Sequence, residues 1–331
     1  MASFSCQHSS VSLRVFLVSV ILMLSAPTGL CGCYKRIFSF GDSIIDTGNF
    51  ANRNLMEFPF GMTYFKRPTG RVCDGRKDTG MFPNGANFAV SGSTAMPPEY
   101  FHRWNHRVPT WCHLGMQMGW FKGLLQRLAP NDSAESLIVL GEIGGNDYNY
   151  WFGAAKPREQ AAQFIPDIMA TIGSSIQELI GMGAKTIVIP NNFPIGDFRS
   201  GNRADYDEHG CLRWFNDFSQ RHNHELRGVV CRLSAQNPGV KLIYADYYGA
   251  AMEFVRDPRR FGIGNPLTAC CGGDEQPYHT NKWCDKTSKI WGDPRSFASW
   301  DGTHMTEKAY EIIAQGVLNG PFANPPLLRS C

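Results

Sequence analysis

The sequence predicts an α/β protein: a parallel sheet with helices on both faces, in three α/β/α layers. Short, continuous apolar runs recur at residues 37–40, 87–91, 136–140, 185–189 and 241–245, and continuous rather than alternating apolar character belongs to strands buried on both faces. Stretches of helical periodicity stand between several of these runs, as crossover helices do in such sheets. The length of 331 residues, with 43% hydrophobic and 12% aromatic content, is enough for one domain with a large core. No internal repeat, low-complexity segment or composition shift marks a boundary after residue 32, so residues 33–331 are expected to form a single domain.

Residues 1–32 precede that domain as a signal peptide. Arg14 is followed by an apolar run from Val15 to Leu24 and then by small residues; the run is too short to span a bilayer and suits a secretory h-region. No second run of membrane length follows, so the mature chain is expected to be soluble and exported. Eleven cysteines suit that compartment. Cleavage just before Cys33 removes Cys6 and Cys31 and leaves nine, an odd number that implies at least one thiol unpaired or shared between chains. Cys270, Cys271 and Cys284 suggest a locally stapled loop. Asn131-Asp132-Ser133 is a glycosylation sequon in a polar segment. The net charge of +3 is spread without a basic run, which argues against a nucleic-acid partner.

The first apolar run, Ile37-Phe38-Ser39-Phe40, breaks at Gly41-Asp42 and presents Ser43 before a polar, helix-starting stretch. Residues 49–86 are rich in glycine and proline and read as loop. The second strand, 87–91, follows. Met118, Phe121, Leu124, Leu125 and Leu128 then recur at helical spacing. The third strand, 136–140, leads to a long amphipathic helix at 158–182. The fourth, 185–189, stops at Pro190. A helix at 213–235 precedes the fifth strand, 241–245. The chain closes on a helix at 305–318, with Ala309, Ile312, Ile313 and Val317 on its apolar face.

Four separate segments carry residue types that acyl transfer requires. Ser43 sits at a strand-to-helix corner, where a side chain is exposed at the carboxyl end of a sheet and near a helix N-terminus. Asp301-Gly302-Thr303-His304 sets a carboxylate three residues before an imidazole, across a glycine turn. Such a carboxylate can hold Nδ1–H and leave Nε2 free to take a proton. Asn146 follows the third strand and Gly92 the second; with the N–H of Ser43 they offer three donors for an oxyanion.

Gly41-Asp42-Ser43, the Gly92 stretch, Gly145-Asn146-Asp147 and Asp301-Gly302-Thr303-His304, in this order, resemble the four blocks of the SGNH hydrolases. More narrowly, the chain resembles the plant GDSL esterase/lipase family over nearly its whole mature length, including Arg67-Pro68-Thr69-Gly70-Arg71 and Asp74-Gly75-Arg76. The resemblance implies a flavodoxin-like, five-stranded parallel sheet. It implies Ser43 as nucleophile, His304 as base, Asp301 as its orienting acid, and Ser43, Gly92 and Asn146 as oxyanion donors. It implies hydrolysis of a small or lipid-like carboxylic ester through an acyl-enzyme, with no metal or organic cofactor. Acyl transfer to an alcohol acceptor is the alternative from the same chemistry. No Gly-x-Ser-x-Gly elbow is present. One departure stands out: only Lys77-Asp78-Thr79-Gly80-Met81-Phe82-Pro83-Asn84 separates Arg76 from Gly85, where a helix-forming segment is expected. A missing helix would uncover part of one sheet face, which leaves either a more open site mouth or a shortened variant with little activity.

Other residues read more plainly. His102, His106 and His113, or His222 and His224, have no cysteine or acid completing a zinc spacing. His209 and His279 lie in loops. Asp42 and Asp46 suit turn and cap roles beside Ser43. Tyr148-Asn149-Tyr150-Trp151-Phe152 either lines an acyl or alcohol pocket or packs in the core.

Overall fold

The computed structural model describes residues 34–47, 49–50, 84–129, 131–196, 203–272, 284–285 and 287–327. The proposed signal peptide, most of the loop at 49–86 and the short link at 77–83 lie outside the described residues, as do Cys33, Cys73, His279 and Cys331.

Five parallel strands form the centre: β1 (Arg36–Phe40), β2 (Gly85–Asn87), β3 (Ser136–Leu140), β4 (Thr186–Pro190) and β5 (Lys241–Ala245). Their spatial order is β2-β1-β3-β4-β5, and the sheet carries a sixth strand that the sequence did not announce. Two residues near the end of the chain, Ala323 and Asn324, pair antiparallel with β5 at its edge. Two residues carry no periodicity, so only tertiary pairing makes them a strand. A separate two-stranded sheet joins residues Asn265–Ala269 (β6) and Phe297–Ser299 (β7). The edge strand Ala323–Asn324 is then β8.

Strand alternation divides the core in two. In register across β1 and β3, Phe38 faces Ile138 and Phe40 faces Leu140; all four are buried in one apolar cluster with Ile187, Ile189 and Leu242. Helix α1 (Leu114–Leu125) covers this face at β1. Its Phe121 ring lies 5.1 Å from Phe38, 5.3 Å from Phe40 and 5.7 Å from Phe88. Each such aromatic side chain contributes about 1.5–3 kcal/mol by burial. Helices α2 (Gly145–Gly153), α3 (Ile165–Gly181) and α4 (Arg213–Gln236) complete the layer. In α3 the buried residues Ile165, Ile168, Met169, Ile172, Ile176 and Leu179 form one helical stripe.

The opposite face is thinner. Leu137, Val188, Ile243 and Ala245 pack with Val317, Ala323 and Leu327, and Val317 comes from helix α6 (Glu307–Leu318). Helix α5 (Tyr247–Arg256) packs beside α6 in a further cluster with Phe254, Met305, Ala309 and Ile313. Ile37, on β1, is 50% exposed.

Boundaries differ from the sequence reading in three instructive places. The second strand is regular only over Gly85–Asn87, because the Asn87 side chain turns to the backbone: its Nδ2 donates to Ile45 O (2.6 Å) and its Oδ1 accepts from Ala89 N (2.9 Å). Phe88 and Val90 still donate to Ser39 O and Gly41 O of the first strand and its extension. The long helix at 158–182 is a 3-10 turn over Arg158–Phe164 followed by α3, with Pro166 in its first turn. Proline lacks an N–H and its ring crowds the preceding turn, so a regular helix begins there rather than passing through it. The final helix starts at Glu307, where the Thr306 side chain caps it by accepting from Ala309 N at 3.2 Å.

Candidate active site

The chain leaves β1, forms β2 on one side and returns to form β3 on the other. The carboxyl ends of β1 and β3 therefore flank the switch point, where open α/β sheets gather ligands. Ser43, Gly92 and Asn146 all follow strands of this edge.

Ser43 lies in a turn built by Asp42. The buried Asp42 carboxylate accepts from Ile44 N at 3.0 Å, and its carbonyl accepts from Asp46 N at 3.0 Å. Asp46 accepts from Asn49 N (2.6 Å) and from Ser91 N (2.7 Å), tying the Ser43 turn to the Gly92 loop. Asp42 and Asp46 thus take the turn and cap roles that their neighbourhood suggested. Gly92 has φ +81, and a Cβ there would fall 2.7 Å from the Tyr150 hydroxyl, which donates to Gly92 O at 2.8 Å. The position needs glycine both for its backbone angle and for that close approach. Among the described residues, the Ser43 and Gly92 amides make no hydrogen bond. Asn146 differs: its side-chain Nδ2 donates to Asp42 Oδ2 at 2.9 Å and to Ser93 O at 3.0 Å.

Asp301 and His304 occupy the turn after β7. One Asp301 oxygen accepts from the Thr303 and His304 amides (2.9 and 2.7 Å), and the other meets His304 Nδ1 at 2.7 Å. Gly302, at φ +84, lets the chain fold over in this way. The Asp301 side chain is 1% exposed and that of His304 is 20% exposed. Burial opposes the charged form of both, but their mutual attraction and hydrogen bond outweigh it. Asp301 is held below its ordinary value and His304 above. Ile44, next to Ser43, packs against the cluster that holds Met305, next to His304. A cleft of about 590 Å³ is lined by Ile44, Asn146, Asp301, Gly302 and Thr303 among others, within the range of small-molecule sites.

The aromatic stretch after Asn146 is both things that the sequence allowed. On helix α2, Tyr148 and Trp151 turn into the core while Asn149 and Tyr150 line the cleft. The remaining histidines disperse. His222 is buried with Nδ1 2.8 Å from the Tyr148 hydroxyl, while His224, two residues on along α4, is exposed. His106 is buried beside the cleft, and His102 is exposed. Asn131 is exposed, and Cys271 pairs with Cys284.

Two supporting residues escaped the sequence reading. Gln117 sits buried on the apolar stripe of α1; its Oε1 accepts from Gly41 N (2.9 Å) while its Nε2 donates to Gly41 O (2.7 Å) and Ser93 Oγ (3.1 Å). A glutamine inside a stripe of Leu114, Met118 and Phe121 was the available signal. Glu142 gave none. It is buried, hydrogen-bonds Asp42 and accepts from Gly145 N at 3.2 Å. Burial pushes Asp42 up to about 6; burial and the neighbouring Asp42 push Glu142 well above the carboxylate range. Burial likewise takes Asp147 to about 7, although the Ala95 and Met96 amides donate to it at 2.8 and 3.0 Å.

The profile of the GDSL-like Lipase/Acylhydrolase family matches residues 37–317, from β1 through α6. The chain belongs to this family. It is 39% identical to the GDSL esterase/lipase At1g28600 of Arabidopsis thaliana, over 97% of this chain and 93% of the relative. It is 38% identical to At1g28580 of the same plant, over 96% and 93%. A sinapine esterase of Brassica napus is 34% identical, over 95% and 92%. The alignment with At1g28600 runs over 366 positions, more than the 331 residues of this chain, so that relative carries segments this chain lacks. Family membership makes the chain a carboxylic ester hydrolase of the GDSL type.

Proposed function

We propose that the chain hydrolyses a small or lipid-like carboxylic ester through an acyl-enzyme on Ser43. The observation that carries this reading is the 2.7 Å Asp301–His304 pair at the edge of a cleft that Asn146 and Ile44 also line. His304 Nε2 takes the Ser43 proton as Oγ attacks the ester carbonyl. Asp301 fixes the imidazole with Nδ1–H turned inward and stabilises the imidazolium that forms. The oxyanion is met by the Ser43 and Gly92 amides. Asn146 joins them only by sharing one of the protons it now gives to Asp42 and Ser93. The proton passes from His304 to the departing alcohol, the acyl group stays on Ser43, and a water activated by His304 releases the acid.

The same reading includes export. The apolar run at 15–24 and the Cys271–Cys284 disulfide support a secretory route, with residues 1–32 removed and Asn131 glycosylated. No helix among the described residues is long and apolar enough to cross a membrane.

A fluorophosphonate probe tests the nucleophile. Labelling is expected on the peptide that holds Ser43, and none in Ser43→Ala. Labelling of another serine in both proteins would overturn the assignment.

A further inference from the structure

Strands β1 and β3 run side by side and end at the same level. Phe40 pairs with Leu140, and the ladder goes one step further, as Gly141 N donates to Phe40 O at 3.0 Å. Each strand then continues as a glycine followed by an acid: Gly41-Asp42 after β1 and Gly141-Glu142 after β3. The two segments pass so closely that a Cβ on Gly41 would stand 2.7 Å from Glu142 O. This alignment brings the Asp42 and Glu142 side chains together, both buried and joined by a hydrogen bond. No step of the proposed hydrolysis uses Glu142.

Two carboxyl groups share a hydrogen bond only when one of them holds a proton, and their other partners decide which. Asp42 accepts from Ile44 N at 3.0 Å with one oxygen and from Asn146 Nδ2 at 2.9 Å with the other. Glu142 accepts from one amide among the described residues, that of Gly145, at 3.2 Å. Donors stabilise the charged form, so the charge rests on Asp42 and the proton on Glu142. The electrostatic balance agrees. Burial pushes Asp42 up only to about 6, because the Ile44 amide, the Glu142 hydrogen bond and the His304 charge oppose it, while Asp46 adds to the rise. Burial and the neighbouring Asp42 push Glu142 well above the carboxylate range.

An amide side chain has a donor end and an acceptor end, and its neighbours choose between them. Asn146 meets acceptors at its nitrogen, Asp42 Oδ2 and, at 3.0 Å, Ser93 O. Asp42 enforces that choice only as a carboxylate, since a protonated Asp42 would have a donor to offer the Asn146 oxygen. Glu142 keeps the shared proton away from it. The Glu142 carboxyl also holds Gly145 N, one residue before Asn146 in the first turn of α2, and so reaches Asn146 through the backbone as well.

We propose that Glu142 is a positioning residue for the reaction: by hydrogen-bonding Asp42 it keeps that carboxylate an acceptor, and so holds the Asn146 N–H groups where the oxyanion forms. This rests on the ester-hydrolase reading and adds to it a buried residue that acts through Asp42 and Asn146.

The test measures kcat and KM for p-nitrophenyl acetate in the native protein, Glu142→Leu and Glu142→Gln. In Glu142→Leu, kcat is expected to fall about 10- to 100-fold with KM within about threefold, the mark of an interaction made in the transition state. Glutamine can still donate to Asp42 and accept from Gly145 N, so Glu142→Gln should recover most of kcat. In an Asn146→Ala background Glu142→Leu should cost less than about threefold, because its route to the oxyanion is gone. Unchanged kcat in Glu142→Leu overturns the proposal. So does an equal loss in Glu142→Gln, or a full loss in the Asn146→Ala background, which a purely structural role would give. Where Glu142→Leu does not fold, the infrared difference between the native protein and Glu142→Gln at neutral pH decides. It should contain the carbonyl stretch of a neutral carboxylic acid, and the loss of a carboxylate band instead overturns the proposal. A folded native protein without turnover overturns the hydrolase reading and the proposal with it; native turnover with any of the contrary results overturns the proposal alone.

Discussion

Two imidazoles, the partly exposed His304 after β7 and the buried His222 on α4, show how the partner decides what a histidine does. Both are hydrogen-bonded at Nδ1 and both lose water to the fold. His304 faces the Asp301 carboxylate at 2.7 Å, which overcomes burial and raises its affinity for a proton. His222 faces the neutral Tyr148 hydroxyl at 2.8 Å; burial goes unopposed and takes it down to about 3. The first binds a proton more readily than a free imidazole does. The second stays neutral and serves only to satisfy a tyrosine in the core. A carboxylate one hydrogen bond away moves one imidazole up and leaves the other down.

The largest effect that separates them is on turnover. His304→Ala is expected to lower kcat/KM by roughly 10⁴-fold or more, and Asp301→Asn by a comparable factor. His222→Phe should stay within about threefold of the native rate, because no hydrogen bond of the site passes through it. Steady-state hydrolysis of an activated ester measures all three. A large kinetic loss in His222→Phe would erase the distinction.

The pH dependence sharpens the comparison. Under the proposed mechanism His304 must be neutral to act as base, and its value is raised, so kcat/KM should fall on the acid side with a midpoint above 6.5. In Asp301→Asn the residual activity should show that midpoint moved down, since burial then acts with one fewer opposing charge. An unmoved midpoint would remove Asp301 from the pair.

Stability gives the smaller effects. His222→Phe is expected to cost about 1–3 kcal/mol by stranding the Tyr148 hydroxyl. A folded value below the unfolded one contributes stability that is complete above 6.5 and is lost as pH falls toward about 3. The gap between the native protein and His222→Phe should therefore narrow as the solution is acidified. Asp147 has the opposite sign. Its value rises from 3.8 to about 7, so its contribution is complete below 3.8 and fades as pH rises through about 7. Thermal unfolding of the native protein and Asp147→Asn should give a difference in Tm that shrinks from pH 5 to pH 8.

Much of this was legible because it is local. Strands β1, β3, β4 and β5 are continuous apolar runs, which announced them, and Asp301 reaches His304 across three residues, a contact that the spacing allowed. The paired histidine on α4 was not legible: its tyrosine is 74 residues away in the chain, and no periodicity connects them. The same holds for Glu142 beside Asp42, whose contact exists only because β1 and β3 lie side by side. The edge strand β8 is too short to have a pattern. The polar commitment of Asn146 was also hidden, since its type suggests a donor but says nothing of what already holds it.

The most direct test of the account is hydrolysis of p-nitrophenyl acetate by the native protein and by Ser43→Ala, both shown to be folded by cooperative unfolding. The expected result is turnover with an initial burst of one p-nitrophenol per native chain, and no burst and only background rate in Ser43→Ala. Native activity retained in Ser43→Ala would contradict the assignment of Ser43 and, with it, the chemistry built around the Asp301–His304 pair.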